Sequence, residues 1–297
     1  MFFIIGSARS GTTLLRMMLN AHPEVAVPPE SRFVTDLYRT DEVVTEEFLE
    51  RLAAHTRWPS WETPIADVRA RIGGRARIPH TEAVEAAYET FARARGKSRF
   101  GDKTPRYIEE LPLLARLWPR AKFVHLVRDG REVALSFGDV PFGPKTVARA
   151  ARLWSDRVVQ GIERGRPLGP DRYLEMHYED LLDNPRQEME ALCRFLELDF
   201  DPAMLDYAHS SRVEALDRAK LYNPYVTRAI TRTRSWREEM PAAQIEVFEA
   251  VAGDTLATMG YERIFPAPSL GAKLAGLLGR AHLPVGRLRA TKAAVPS

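Results

Sequence analysis

The chain has 297 residues, of which 45% are hydrophobic and 28% charged, with 18 Gly and 21 Pro. That composition excludes a disordered chain, a collagen and a small disulfide scaffold, and fits one compact domain, with or without a lid. The 43 Lys and Arg against 40 Asp and Glu leave a net charge of only +3, too little for a protein that coats nucleic acid by bulk phosphate neutralisation, so no nucleic-acid partner is expected.

In chain order, the first apolar run is MFFIIG. It is too short to span a membrane and lacks the basic flank and cleavage site of a signal peptide, so a cytoplasmic location is expected. Short apolar strands are predicted at 2–5 (FFII), 25–27 (VAV), 98–100 (SRF), 122–127 (KFVHLV) and 172–177 (RYLEMH). Helical periodicity covers 12–20, 42–55, 81–95, 107–117, 130–138, 146–164, 185–196 and 242–258, while WPSWETP (58–64) and GRPLGPD (165–171) read as loops. The alternation predicts an α/β fold with a mostly parallel sheet flanked by helices. The single Cys193, in EALCRFLEL, can form neither an internal disulfide nor a cysteine-based zinc site and reads as an inert helix-core thiol.

From residue 267 the character changes, which sets a main domain at 1–266 apart from a tail at 267–297. The tail carries Lys273, Arg280, Arg287, Arg289 and Lys292 and no acidic residue. Leu270, Leu274, Leu277, Leu278 and Ala281 fall on one helical face, with Lys273 and Arg280 expected opposite. A solvated or loosely docked tail and a peripheral membrane helix both fit.

The chemistry concentrates where strands end. FFIIGSARSGTTLL puts a Gly-rich turn directly after a buried strand and directly before a helix, the context in which backbone N–H groups and a helix N-terminus cradle an anion. Gly6 and Gly11 have P-loop spacing, giving a P-loop-type sheet, and Arg9, Ser10, Gly11, Thr12 and Thr13 are the candidate ligands. An NTPase would carry Lys where Thr12 stands, so the usual β/γ-phosphate clamp is missing, although Arg9 offers a charge from within the loop. After KFVHLV the chain reads RDGREVALSF. Asp129 and Glu132 have capping-box spacing. Arg128, at the strand end, is not needed for the cap, and Ser136 returns to nearly the same helical face eight residues on, so the pair is a candidate anion site.

Glu30 and Arg32 follow VAV, Asp102 and Lys103 follow SRF, and Tyr178 follows RYLEMH. Residues past the carboxyl ends of parallel strands converge on one crevice. Each also has an ordinary structural role open to it: Glu30 and Arg32 as a surface pair, Lys103 as a solvated loop residue, Tyr178 as core.

These residues resemble the sulfotransferases that use 3′-phosphoadenosine 5′-phosphosulfate (PAPS). GSARSGTTLL resembles that family's 5′-phosphosulfate motif, FVHLVRDGREVALSF its 3′-phosphate motif, and RSGTTLLRMMLNAHPEVAVPPESR is similar to the corresponding stretch of protein-tyrosine sulfotransferases. The resemblance covers roughly residues 1–260. It implies Glu30 as catalytic base, Lys103 as the cation beside the transferring group, Arg9 on the 5′-phosphosulfate, Arg128 and Ser136 on the 3′-phosphate, and Tyr178 near the adenine. PAPS would be the donor, no metal would be required, and the acceptor would be a hydroxyl on a phenol, sugar, lipid or peptide tyrosine. The chain departs from the cytosolic members in having Thr104 and Pro105, and no His, after Lys103. Their nucleotide-closing signature is also absent, and Ser235, Arg234 or Lys220 are the stand-ins. His125 and His177 are the alternative bases, and 40–97 and 200–235 the expected acceptor walls, with Trp58, Trp61, Tyr222 and Tyr225 able to stack on a ring. A P-loop kinase-like phosphotransferase would need Lys at Thr12 and an Asp after a strand for Mg²⁺; neither is found. A non-catalytic nucleotide- or glycan-binding module would not need Glu30 and Lys103 beside the loop.

Overall fold

The computed structural model describes residues 1–209 and 235–279. Lys220, Tyr222, Tyr225, Arg234, Arg280 and Ala281 lie outside the described residues. Those described fall into two compact units, the first holding Met1–Arg128 and 157–209, the second Asp129–Asp156 and 235–279.

The first unit is built on a parallel five-stranded sheet. Strands β1 (Phe2–Gly6), β2 (Val25–Ala26), β5 (Arg99–Lys103), β6 (Lys122–Val127) and β7 (Tyr173–His177) lie in the order β2-β5-β1-β6-β7. β1 is buried along its whole length, as expected of a strand covered on both faces. Its side chains alternate: Phe3 and Ile5 enter one core layer with Phe33, Trp61, Tyr88 and Phe91, and Phe2 and Ile4 enter the other with Leu15, Met18, Leu192 and Cys193. The chain passes from β1 to β2 and β5 on one side and then to β6 and β7 on the other. The carboxyl end of β1 is therefore the switch point, where open α/β sheets bind ligands.

The five expected strands and their parallel pairing match the sequence reading, and the differences are local. The helix expected from 42 starts at Thr45, as α3 (Thr45–Ala53). Residues Glu42–Val44 form β3, antiparallel to β4 (Arg77–Pro79), and a further helix, α4 (Ile65–Ile72), was not expected. The 107–117 helix divides into a 3₁₀ turn (Pro105–Ile108) and α6 (Leu111–Leu117). WPSWETP is not an open loop. Trp58–Trp61 is a 3₁₀ turn whose two indoles are buried, with the Trp61 ring 4.9 Å from Phe33 and 4.8 Å from Tyr88. These tryptophans are core and cannot stack on an acceptor ring. Cys193 is buried in α10 (Pro185–Leu196) against Met204, and burial pushes its thiol up to about 11.

The second unit contains α7 (Gly130–Gly138), the Val147–Asp156 part of α8 (Val147–Gly165), α11 (Trp236–Glu239), α12 (Ala242–Thr258) and α13 (Leu270–Leu277). Its interior is organised around Arg131. The guanidinium donates to both carboxylate oxygens of Asp129 (3.0 and 2.7 Å) and to Glu249 Oε1 (2.8 Å), and lies 3.6 Å from the Trp236 ring centre. Glu249 also accepts from the backbone of Ile264 and Phe265. Among the described residues, no helix is long and apolar enough to cross a membrane.

Candidate active site

The loop Ser7–Gly11 joins β1 to α1 (Thr12–Ala21). The Ser10 N–H donates to Ser7 O at 3.3 Å, and Arg9 adopts φ 72°, a left-handed conformation that costs a non-glycine residue energy. Gly11 is required twice over. Its φ is 90°, and a Cβ there would lie 2.2–2.3 Å from ring carbons of Tyr178. The first turn of α1 has no side-chain cap and no acidic residue, so its N–H groups and positive dipole end face the loop without an internal anion. Ser10 is fully buried, and its hydroxyl has no hydrogen-bond partner. A buried hydroxyl in that state costs stability unless something else supplies an acceptor. An oxyanion seated in the loop meets that need.

Arg128 and Tyr178 close one side. Arg128 immediately follows β6 and donates to Arg9 O at 3.3 Å. Its guanidinium lies 4.6 Å from the ring centre of Tyr178, the first residue of α9 (Tyr178–Asp183). Tyr178 is buried against Gly11, so it joins the loop to Arg128. Ser136 lies buried on α7 in the second unit.

Glu30 and Lys103 meet on the other side. The Asn20 side chain clamps Val27 through both backbone groups (2.8 and 2.9 Å), fixing the exit from β2 on α1. Ser31 N donates to Thr104 Oγ1 (3.1 Å), and Ser31 Oγ and the Tyr107 hydroxyl are 2.8 Å apart. The segment after β2 is thereby fastened to the end of β5, and Lys103 Nζ donates to Glu30 Oε1 at 2.8 Å. Burial by itself would raise the Glu30 pKa. The charge and hydrogen bond of Lys103, with Arg57 and Arg16, outweigh it and hold the carboxyl below its ordinary value. Lys103 is almost completely buried; that desolvation, helped by Arg16 and only partly offset by Glu30, lowers its pKa.

The sequence reading missed Arg16. It is buried on α1 and acts electrostatically on both members of the pair. Its signal was present, a cation four residues after Thr12 in an otherwise apolar stretch and hence on the same helical face as the loop. Asp102 is the penultimate residue of β5, not a residue beyond it, and accepts the Tyr88 hydroxyl at 2.5 Å; burial raises its pKa to about 6. Arg32 occupies the position before α2 (Phe33–Asp36) with φ 52° and makes no side-chain cap. His125 is not available as a base. It is buried in β6 with Nδ1 2.6 Å from the Tyr173 hydroxyl, and burial lowers its pKa to about 4. His177 ends β7 and is half-buried, and Ser235 precedes α11.

A family model described as "Sulfotransferase family" matches residues 2–202, and one described as "Sulfotransferase domain" matches 153–260. The nodulation protein NoeE of Sinorhizobium fredii is 29% identical over 296 residues, covering 88% of this chain and 66% of its own length. The protein-tyrosine sulfotransferase of Drosophila melanogaster is 23% identical over 288 residues, covering 91% and 53%. The chain thus spans less than two thirds of either relative. Among solved structures, the sulfotransferase domain of the Synechococcus PCC 7002 olefin synthase superposes with a TM-score of 0.64 at 26% identity, covering 88% of this chain and 94% of that domain.

Proposed function

The chain belongs to the sulfotransferase family, and from that premise we propose that it moves a sulfuryl group from PAPS to a hydroxyl acceptor. The observation that carries this reading is the Glu30–Lys103 pair at the edge that also holds the uncapped loop. A binding module needs the loop but not an ionised carboxylate paired with a desolvated lysine.

The residues fit the donor. The loop N–H groups, the Ser10 hydroxyl, Thr12, Thr13 and Arg9 would hold its 5′-phosphosulfate, and Arg128 its 3′-phosphate. When bound, the donor supplies the sulfuryl group and a nucleoside bisphosphate as leaving group. Glu30 takes the acceptor hydroxyl's proton as the new O–S bond forms, and its lowered pKa keeps it ionised and ready to do so at neutral pH. Lys103 offers its ammonium to the oxygen that keeps the electron pair of the breaking S–O bond, and its lowered pKa makes that proton easier to give. Arg16 adds positive charge beside both. These groups supply positioning and charge stabilisation, which carry most of the catalysis in the related phosphoryl transfers. The acceptor is a hydroxyl on a small molecule, glycan, lipid or peptide tyrosine.

Calorimetry with adenosine 3′,5′-bisphosphate tests the reading. Binding is expected with and without a chelator, followed by transfer from labelled PAPS in an acceptor screen. Tighter binding of ATP with Mg²⁺ would favour a phosphotransferase, and nucleotide binding with no transfer to any hydroxyl class would favour a binding module.

A further inference from the structure

We propose that Tyr107 is a positioning residue for the transfer reaction, its hydroxyl holding the segment that carries Glu30 against Lys103. The inference rests on the proposed sulfuryl transfer and adds to it a residue that acts through the base.

The two members of the pair are held in place by different means. Lys103 is the last residue of β5, whose register on β1 sets it opposite Ile4, so the sheet fixes its backbone. Glu30 has no such support. β2, an edge strand, ends at Ala26, and the chain reaches Glu30 through Pro28 and Pro29, which have no N–H to donate. A base on such a segment has to be fixed by side chains. Asn20 fixes the near end, at Val27. The far end begins at Ser31, directly after Glu30, and there Tyr107 acts.

Tyr107 lies on the 3₁₀ turn Pro105–Ile108, which follows Lys103 after the single residue Thr104. Its ring is buried beside Phe3 of β1, with ring centres 6.2 Å apart. The hydroxyl accepts from Val34 N at 3.2 Å, which leaves its own proton for Ser31 Oγ at 2.8 Å. Ser31 N donates to Thr104 Oγ1 at 3.1 Å, and Ser31 O accepts from Phe33 N at 2.6 Å. The N–H, carbonyl and hydroxyl of this fully buried serine are thus all engaged. Between Ser31 and Val34 the chain turns through Arg32 at φ 52°, a conformation that costs energy and persists where its surroundings impose it. Tyr107 grips both sides of that turn. Burial, with the charge of Asp102, raises the phenol's own pKa well above its ordinary value, so Tyr107 stays protonated and is not a second base.

Tyr107→Phe keeps the ring and removes the hydroxyl, and Ser31→Ala removes the other end of the same bond should the first variant fail to fold. With PAPS and an accepted hydroxyl, either should lower kcat about tenfold to 10²-fold while adenosine 3′,5′-bisphosphate affinity holds, as expected when a reacting group is misplaced by about 1 Å. In a Glu30→Gln background the same substitution should lower the residual rate less than about twofold, because no base is left to misplace. An equal loss in both backgrounds overturns the proposal, since Tyr107 would then act on the fold and not through Glu30. Unchanged kcat in both single variants overturns it too. A second readout needs no transfer. Glu30 is faced by Lys103 from β5, Arg16 from α1 and Arg57 from the segment after α3, which together hold its pKa down against burial. Loosened from Lys103, its carboxyl should titrate at higher pH in Tyr107→Phe than in the wild type, read by ¹³C NMR of glutamate-labelled protein as the signal that Glu30→Gln removes. That shift supports the role of Tyr107 even where the wild type transfers to no acceptor, an outcome that rejects the sulfotransferase reading alone. An unmoved titration rejects the role of Tyr107, whatever the wild type transfers.

Discussion

Two strand-to-helix junctions in this chain look alike in sequence, GSARSGTT after β1 and RDGREVAL after β6. Each puts Arg and Gly at a helix start, and each buries charge, yet they differ in what fills the helix N-terminus. At α7 the Asp129 carboxylate caps the Arg131 N–H at 2.9 Å and is closed off by the same residue's guanidinium, which also holds Glu249. At α1 no side chain caps the helix, and the Ser10 hydroxyl beside it has no partner. The α7 junction has supplied its own anion and is finished on folding. The α1 junction leaves the place of an anion open.

The largest test of this contrast falls on the closed junction. Arg131→Leu takes the guanidinium away from the buried Asp129 and Glu249 carboxylates, a change that costs about 3 to 5 kcal/mol. Urea unfolding should show that loss, and Asp129→Asn/Glu249→Gln added to it should recover part. A loss below about 1 kcal/mol would mean that water reaches the cluster and the junction is not closed. A second buried aspartate makes the opposite case. Asp102 has no guanidinium, and burial raises its pKa from 3.8 to about 6. The folded form therefore holds a proton between those values that the unfolded form releases, so stability falls as pH rises through this window and stays low above it. Asp102→Asn should gain on the wild type between pH 4 and 7, by up to about 3 kcal/mol. Melting curves that keep the same separation at both pH values would remove the effect.

Within the open junction's side of the molecule, Glu30→Gln keeps the shape and removes the proton acceptor. Transfer at saturating PAPS should fall about 10²-fold while adenosine 3′,5′-bisphosphate affinity holds. In the wild type, the acid limb of the rate should lie where pH falls through the lowered Glu30 pKa, below its ordinary value. A collapse of nucleotide binding in Glu30→Gln would instead make Glu30 a structural partner of Lys103.

The open junction was legible in the sequence because its cues are local: a fully apolar strand, a Gly pair at P-loop spacing and a helix directly after. Glu30 and Lys103 could be placed on one edge by strand ends alone. Their contact could not, because it depends on Asn20, Ser31, Thr104 and Tyr107 fastening two loops more than 70 residues apart. β3 and β4 were hidden for a different reason. Each is three residues long and buries one side chain or less, so period-2 alternation never develops and the helical pattern that follows absorbs it. Trp58 and Trp61 were misplaced because prolines around them signal a loop, whereas their spacing of three puts both rings on one side of a 3₁₀ turn. Glu249 carried a usable sign, an acid at an inward position of an apolar helix, but its partner Arg131 lies 118 residues away.

The smallest effect tests the contrast most directly, because it predicts opposite signs at the two junctions. Asp129→Ala removes a filled cap and also a partner of the buried Arg131, and should cost at least the cap's share, about 0.5 to 2 kcal/mol, in the unliganded protein. Ser10→Ala removes a buried hydroxyl that has no partner, so the unliganded protein should keep its stability or gain up to about 1 kcal/mol. With adenosine 3′,5′-bisphosphate the order reverses. The Ser10 hydroxyl would then be a donor to the 5′-phosphate, and its loss should weaken binding by about 0.5 to 1.5 kcal/mol, roughly threefold to tenfold. Thermal melts with and without the nucleotide read both quantities in one experiment. If Ser10→Ala destabilises the free protein as much as Asp129→Ala does and leaves nucleotide affinity alone, then Ser10 is satisfied within the fold, and the two junctions do not differ in the way their geometry indicates.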